Sequence, residues 1–246
     1  FHYGEANSPW EVRQKIRLLA DNGADHIKVL STGAVLTHGS NPKSLEFTPE
    51  ELAAAVDEAS HFGLRVAAHA HAREGIKNAI LAGVASVEHA TLIDDEGIAL
   101  AKQHGTYLVM DIYDDECIQA DGKNGNMPAD FLEHDRELGE AQRQNFRKAL
   151  HAGVKLAFGT DAGVCPYGTD AKQFAYMVRY GMTPMQAIQS ATSAAADLIG
   201  RSQEFGSIKA GKYADLIAIA GDPLKDVTLL ENVQFVMKDG KVYKQK

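Results

Sequence analysis

Cysteine is nearly absent. Cys117 and Cys165 are too few for a disulfide framework, which excludes the small stapled folds and leaves the redox compartment open. No apolar run reaches about 18 residues, so no helix here is expected to span a membrane. Positive charge is also short, with 25 Lys and Arg against 33 Asp and Glu and a formal net charge of −8. That balance argues against nucleic acid or an anionic membrane surface as a partner. Internal repeats and low-complexity segments are missing. The first residues, FHYGEANSPWEVRQ, carry neither a methionine nor a charged-then-apolar signal pattern, which fits a mature chain, a truncated one or part of a longer protein, and localisation is not readable from them. What remains is 246 residues, enough to bury a large core in one barrel domain or two smaller domains.

Along the chain, apolar β-branched runs alternate with helical periodicity, the mark of parallel βαβ units. Ser8-Pro9 opens a helix over roughly 9–22, and Thr48-Pro49-Glu50-Glu51 forms a capping box for a helix that ends near Gly63. Further helices are expected at 73–83, 94–105, 135–152, 170–180 and 184–199, the last capped by Thr183-Pro184-Met185-Gln186. The stretch 114–134 has no sustained period and is expected to be a long functional loop. After Gly200 the pattern changes to short alternating strands, with a hairpin turn at Lys238-Asp239-Gly240-Lys241. Residues 1–200 are therefore one α/β domain, and residues 201–246 belong to a small β domain.

Four strand-like segments end in residues able to bind a metal or to become able to do so. They are HIKVL with Lys28, RVAAHAHA with His69 and His71, VASVEHA with His89, and KLAFGTDAG with Asp161. In a β/α barrel the C-terminal ends of parallel strands meet at one rim, so ligands distant in sequence converge. Imidazole and carboxylate suit a divalent transition metal such as zinc. His69 and His71 alternate on a strand and face the same way, so both could ligate, or one could ligate while the other contacts substrate. Any one of these residues alone is equally a polar side chain at a strand end; the joint pattern makes the site. Lys28 inside an apolar strand is costly unless paired or neutralised, and a neutral amine can capture carbon dioxide as a carbamate. Asp161 can bind a metal and also carry a proton from water to a leaving amine. Tyr113, His38 and Arg179 are weaker candidates for binding an acidic group on a substrate. Only five barrel-type strands are present, where a closed barrel needs eight.

Taken together, HIKV, VAAHAHAREGIKNAILAGVASVEHATLID, LAFGTDAG and FGSIKAGKYADLIAIAGDPL resemble the amidohydrolase superfamily. The similarity is to the branch of imidazolonepropionase-like proteins, Xaa-Pro dipeptidases and related carboxypeptidases, and within it to the ochratoxin A-hydrolysing members. The resemblance implies a distorted (β/α)8 TIM-like barrel, of which this chain holds the last five or so strands. It also implies the C-terminal part of a small β-sandwich domain. It makes Lys28 a carboxylated lysine bridging two divalent ions, zinc by preference, with His69 and His89 ligating the second ion. Asp161 becomes ligand and proton shuttle, and His71 a substrate contact that polarises a carbonyl. Relatives carry an HxH motif on the first barrel strand, and this chain has none before Lys28. The motif and the first three strands are thus expected upstream of Phe1, in a protein longer by about 180 residues on a barrel of ordinary size.

The implied activity is hydrolysis of a small amide with an amino acid leaving group: ochratoxin A, an N-acyl amino acid or a dipeptide. Two alternatives stand beside it. A mononuclear deaminase of the same superfamily would place a glutamate three residues after His69, where this chain has Ala72. A non-catalytic member or assembly partner is the other, since a fold does not guarantee an activity. Relatives often assemble, so a homo-oligomer is among the expectations.

Overall fold

The computed structural model describes residues 4–245. Phe1–Tyr3 and Lys246, the outermost residues of the two expected domains, lie outside the described residues. In chain order the elements are α1 (Pro9–Asp21), β1 (Ile27–Leu30), α2 (Pro49–His61), β2 (Val66–Ala70), α3 (Arg73–Ala82), β3 (Ser86–His89), α4 (Asp95–His104) and β4 (Tyr107–Val109). They continue with α5 (Asp115–Lys123), α6 (Ala129–Ala152), β5 (Leu156–Ala157), α7 (Lys172–Arg179), α8 (Pro184–Ser190) and α9 (Ser193–Leu198). Strand β6 (Leu216–Ala218), a 3₁₀ turn at Val227–Glu231, β7 (Phe235–Lys238) and β8 (Lys241–Gln245) complete the chain. No described helix is long and apolar enough to cross a membrane.

The chain divides into two compact units, the first of Phe1–Val109 and Ala129–Lys155, the second of Met110–Pro128 and Leu156–Lys246. In the first unit β1, β2, β3 and β4 form a parallel sheet in chain order. Its register sets Lys28 beside Ala67 and Leu30 beside His69. Residues paired in a parallel register share a face, so Lys28 and His69 lie on the same side of the sheet. The opposite face is core: Ile27, Leu52, Ile76, Ile80, Leu108 and Phe146 are fully buried, each stabilising the fold by about 1.5–3 kcal/mol relative to an exposed side chain.

Helix starts follow the sequence closely. Ser8 accepts from the Glu11 amide, and Thr48 and Thr183 each form a reciprocal capping box, with Glu51 and Gln186. Arg17 Nε donates to Glu58 Oε1 at 2.6 Å and Arg13 to Glu58 Oε2 at 3.2 Å, clamping α1 to α2. The Glu58 side chain is buried beneath them.

In the second unit β6, β7 and β8 form a three-stranded antiparallel sheet. Asp239 and Gly240, both left-handed with φ 49° and 74°, make the β7–β8 hairpin turn read from Asp-Gly in the sequence. Cys117 on α5 and Cys165 after β5 form a disulfide, so the two cysteines are paired with each other.

Two helical expectations need correction. The expected loop at 114–134 contains α5, capped by Asp114, and α6 begins at Ala129 rather than near 135. The buried face of α6 runs through Phe131, Asp135, Leu138, Gln142, Phe146 and Ala149. The missed early turns, residues 129–134, bury only Phe131, too little to show an apolar period. The helix expected over 184–199 is broken into α8 and α9. There the Ser190 carbonyl accepts from the Phe158 amide at 3.1 Å, and Thr192 leaves helical geometry with ψ −89°.

Arg17, with Arg13, holds the Glu58 carboxyl below its ordinary range, against the opposing effect of burial. A depressed carboxylate pKa stabilises the fold above the unfolded value of about 4.3 and loses that contribution as pH falls through the folded value. Glu58→Gln is therefore expected to lower stability at pH 7 and to flatten the acid limb below about pH 4.3 in urea denaturation series. An acid limb identical to that of the parent protein would contradict the clamp.

Candidate metal centre

The ends of β2 and β3 bring three imidazoles together. His69 is the fourth residue of β2, His71 follows one residue beyond the strand, and His89 closes β3. Ring centroids are 4.6 Å apart for His69–His71, 4.5 Å for His69–His89 and 4.7 Å for His71–His89. One ring nitrogen from each lies within 4.8 Å of the others. His69 and His71 are buried and His89 is half-buried.

Local chemistry orients two of the rings. His69 Nε2 is 3.1 Å from the Gly33 carbonyl oxygen, which can only accept, so Nε2 carries the proton and Nδ1 the lone pair. His71 Nδ1 lies 2.8 Å from Thr91 Oγ1. The His71 backbone amide donates to Thr32 Oγ1 at 2.9 Å, and its carbonyl accepts from the Leu92 amide. Metal-ligating histidines commonly present one nitrogen to the ion and anchor the other in this manner. The donor set therefore fits a divalent metal of the zinc type.

His89 reaches the cluster through strained backbone. His89 and Ala90 have φ values of 65° and 48°, consecutive left-handed residues that are not glycine. Such conformations cost about 1–3 kcal/mol each and persist where the surroundings over-determine them.

The remaining sequence candidates fall as follows. Lys28 shares the sheet face of His69 but is exposed, so the burial that made it costly on paper is not found in this chain. Strand β1 buries Ile27 and Val29 on one face and leaves Lys28 and Leu30 exposed on the other. His38 is exposed on the loop after β1; its Nδ1 is 3.4 Å from Asp130 Oδ2 and its ring packs 4.7 Å from Phe131. Three candidates belong to the second unit. Asp161 follows β5, exposed and left-handed at φ 45°. Tyr113 is buried, 5.4 Å from the Tyr176 ring and 5.8 Å below Lys172 Nζ. Arg179 lies over Tyr176 and Tyr180 at 6.0 and 5.9 Å.

Thr32, Gly33 and Thr91, which anchor the imidazoles, were not singled out from sequence. Thr91 stands two residues after His89, a spacing that could have suggested it; Gly33 reaches His69 through its backbone, which leaves no side-chain signal.

Against this geometry, the model of the amidohydrolase family matches residues 7–243. The chain belongs to the amidohydrolase family. Among its relatives, the ochratoxinase of Aspergillus niger is 35% identical over 239 residues, covering 95% of this chain and 49% of that protein. The crystal structure of a Xaa-Pro dipeptidase with methionine bound in its active site superposes with a TM-score of 0.94 at 44% identity. That match covers 97% of this chain and 59% of the dipeptidase. The imidazolonepropionase of Chromobacterium violaceum is 28% identical over 181 residues, 71% of this chain and 39% of that enzyme. The amidohydrolase branch expected from the motifs is thus found, and the chain spans about half the length of the curated relatives it matches.

A Cβ at Gly33 would sit 2.2 Å from the Asn41 carbonyl oxygen and 2.7 Å from Ser40 Oγ. Gly33→Ala must therefore displace the loop whose carbonyl anchors His69, at a cost of about 1–3 kcal/mol in denaturant unfolding. Imidazole nitrogen NMR should find His69 as the Nε2–H form in the parent protein. A Gly33→Ala protein with unchanged stability and an unchanged His69 spectrum would contradict this anchor.

Proposed function

We propose that this chain forms the C-terminal part of a metal-dependent amidohydrolase acting on small amides with an amino acid leaving group. The observation that carries the reading is the convergence of His69, His71 and His89, with ring nitrogens within 4.8 Å of one another. Membership of the amidohydrolase family and likeness to an ochratoxinase and a Xaa-Pro dipeptidase support the same class of bond. Ochratoxin A, N-acyl amino acids and dipeptides are the substrates to be tried.

In this reading His69 and His89 would hold one divalent ion, zinc by the chemistry of its donors. Lys28, as a carbamate formed with carbon dioxide, would help to hold a second ion. When bound, such ions polarise a carbonyl and acidify water. The protein's own groups do the rest. His71, held by Thr91 and by the Thr32 hydroxyl, donates to the substrate carbonyl oxygen. Asp161 accepts a proton from the attacking water and returns it to the departing amine, which leaves as a neutral amino group. Tyr113, His38 and Arg179 bind an acidic group of the substrate. Residues 1–200 then form the last strands of a distorted β/α barrel, and residues 201–246 part of a small β-sandwich. The sheet face carrying Lys28 and His69 is its interior.

The deaminase alternative asks for a proton-carrying side chain three residues after His69. Ala72 occupies that position, buried at the start of α3 with nothing to donate.

The test is hydrolysis of ochratoxin A and a panel of N-acyl amino acids and Xaa-Pro dipeptides by the intact protein. At least one should be cleaved, and Asp161→Asn should lower its turnover by about 10²–10⁴-fold. Parental turnover in the variant would sink the role of Asp161. No hydrolysis across the panel would move the assembly-partner reading ahead.

A further inference from the structure

Helix α6 lies behind the imidazole cluster and sends two carboxamides to the backbone that carries it. Gln142 Nε2 donates to the His89 carbonyl at 3.2 Å, and Asn145 Nδ2 donates to the Thr91 carbonyl at 2.8 Å. The two side chains are three residues apart and so share one face of the helix. Gln142 is buried and Asn145 half-buried. Both bonds land on the segment that leaves β3 through the left-handed residues His89 and Ala90. Thr91 is also the residue whose hydroxyl meets His71 Nδ1.

We infer that Gln142 and Asn145 are positioning residues for the imidazole cluster. Gln142 fixes the carbonyl of a left-handed His89, and Asn145 fixes Thr91 and through it the ring of His71. Their effect on a metal rests on the cluster being the metal centre proposed above; their hold on the backbone does not. A left-handed, fully buried Ala90 is costly to keep, and amides donated from the 24-residue α6 to the carbonyls on either side of it help to hold it. A core-facing amide is costly to bury unless it is used, and both of these are used on the same five-residue segment. Within the segment Ala90 donates to Glu88, Ile93 to Ala90 and Leu92 to His71.

Gln142→Met and Asn145→Leu keep the shape of each side chain and remove its donor. Each should weaken zinc binding by about 10–100-fold in chelator competition, the loss usual when a partner outside the metal's own ligands is removed. In the metal-free protein the amides of residues 90–93 should exchange about three- to tenfold faster, as for one lost hydrogen bond. Gln144→Ala, on the exposed face of the same helix, should change neither quantity. Unchanged exchange at 90–93 in both variants would overturn the brace. Faster exchange with unchanged zinc affinity would overturn its link to the metal. If Gln142→Met does not fold, Asn145→Leu gives the same readouts from a half-buried position. Failure of the parent protein to bind zinc would instead overturn the functional reading, a result that the exchange measurement distinguishes.

Discussion

Imidazoles packed ring against ring, with centroids 4.5–4.7 Å apart, constrain everything around them. Each ring has two nitrogens, and burial makes any unused one costly. The surroundings answer with the Gly33 carbonyl for His69 and the Thr91 hydroxyl for His71. Those anchors in turn fix the loop after β1 and the segment after β3. Gly33 can approach because it has no Cβ, and the segment after β3 can turn because its carbonyls are held by α6. Strand register does the first part of the work, by bringing the ends of β2 and β3 side by side with Ala70 beside His89.

Much of this was legible in the sequence, because the signals were local. Ser8, Thr48 and Thr183 announced three helices through side chains that cap their own backbone. Asp239-Gly240 announced a hairpin because few other residues accept two consecutive left-handed conformations. The histidines could be grouped because each ends a strand-like run, and parallel strands share a rim. What escaped was long-range. Helix α6 hid its early turns because residues 129–134 bury only Phe131, too short a stretch to show a period. The pairing of Cys117 with Cys165 spans 48 residues and follows from the fold, not from spacing. The exposure of Lys28 depends on what covers its face of the sheet, which no property of IKVL reveals.

Two polar residues on the inner side of α6 are put to use by the structure. Gln142 sits in the core stripe because it has a carbonyl to hold there, and Asn145 joins it one turn later. A break in hydrophobic periodicity is thus informative in its own right: it marks where the core gives way to chemistry. Family membership agrees with this arrangement, since the match extends from residue 7 to residue 243 and takes in both units. The small sheet and the disulfide-linked segment of the second unit follow physical rules of their own, with turn chemistry and covalent closure replacing the packed βα repeat.

The reading to be tested is that His69 and His89 hold a divalent metal ion, with His71 beside it as a substrate contact. X-ray absorption at the zinc edge, on the intact protein loaded with zinc, tests it most directly. The account predicts a nitrogen shell at about 2.0–2.1 Å with imidazole scattering, and its loss in His69→Ala and His89→Ala. Zinc that binds with no imidazole signature, or with a signature unchanged in both variants, would contradict it.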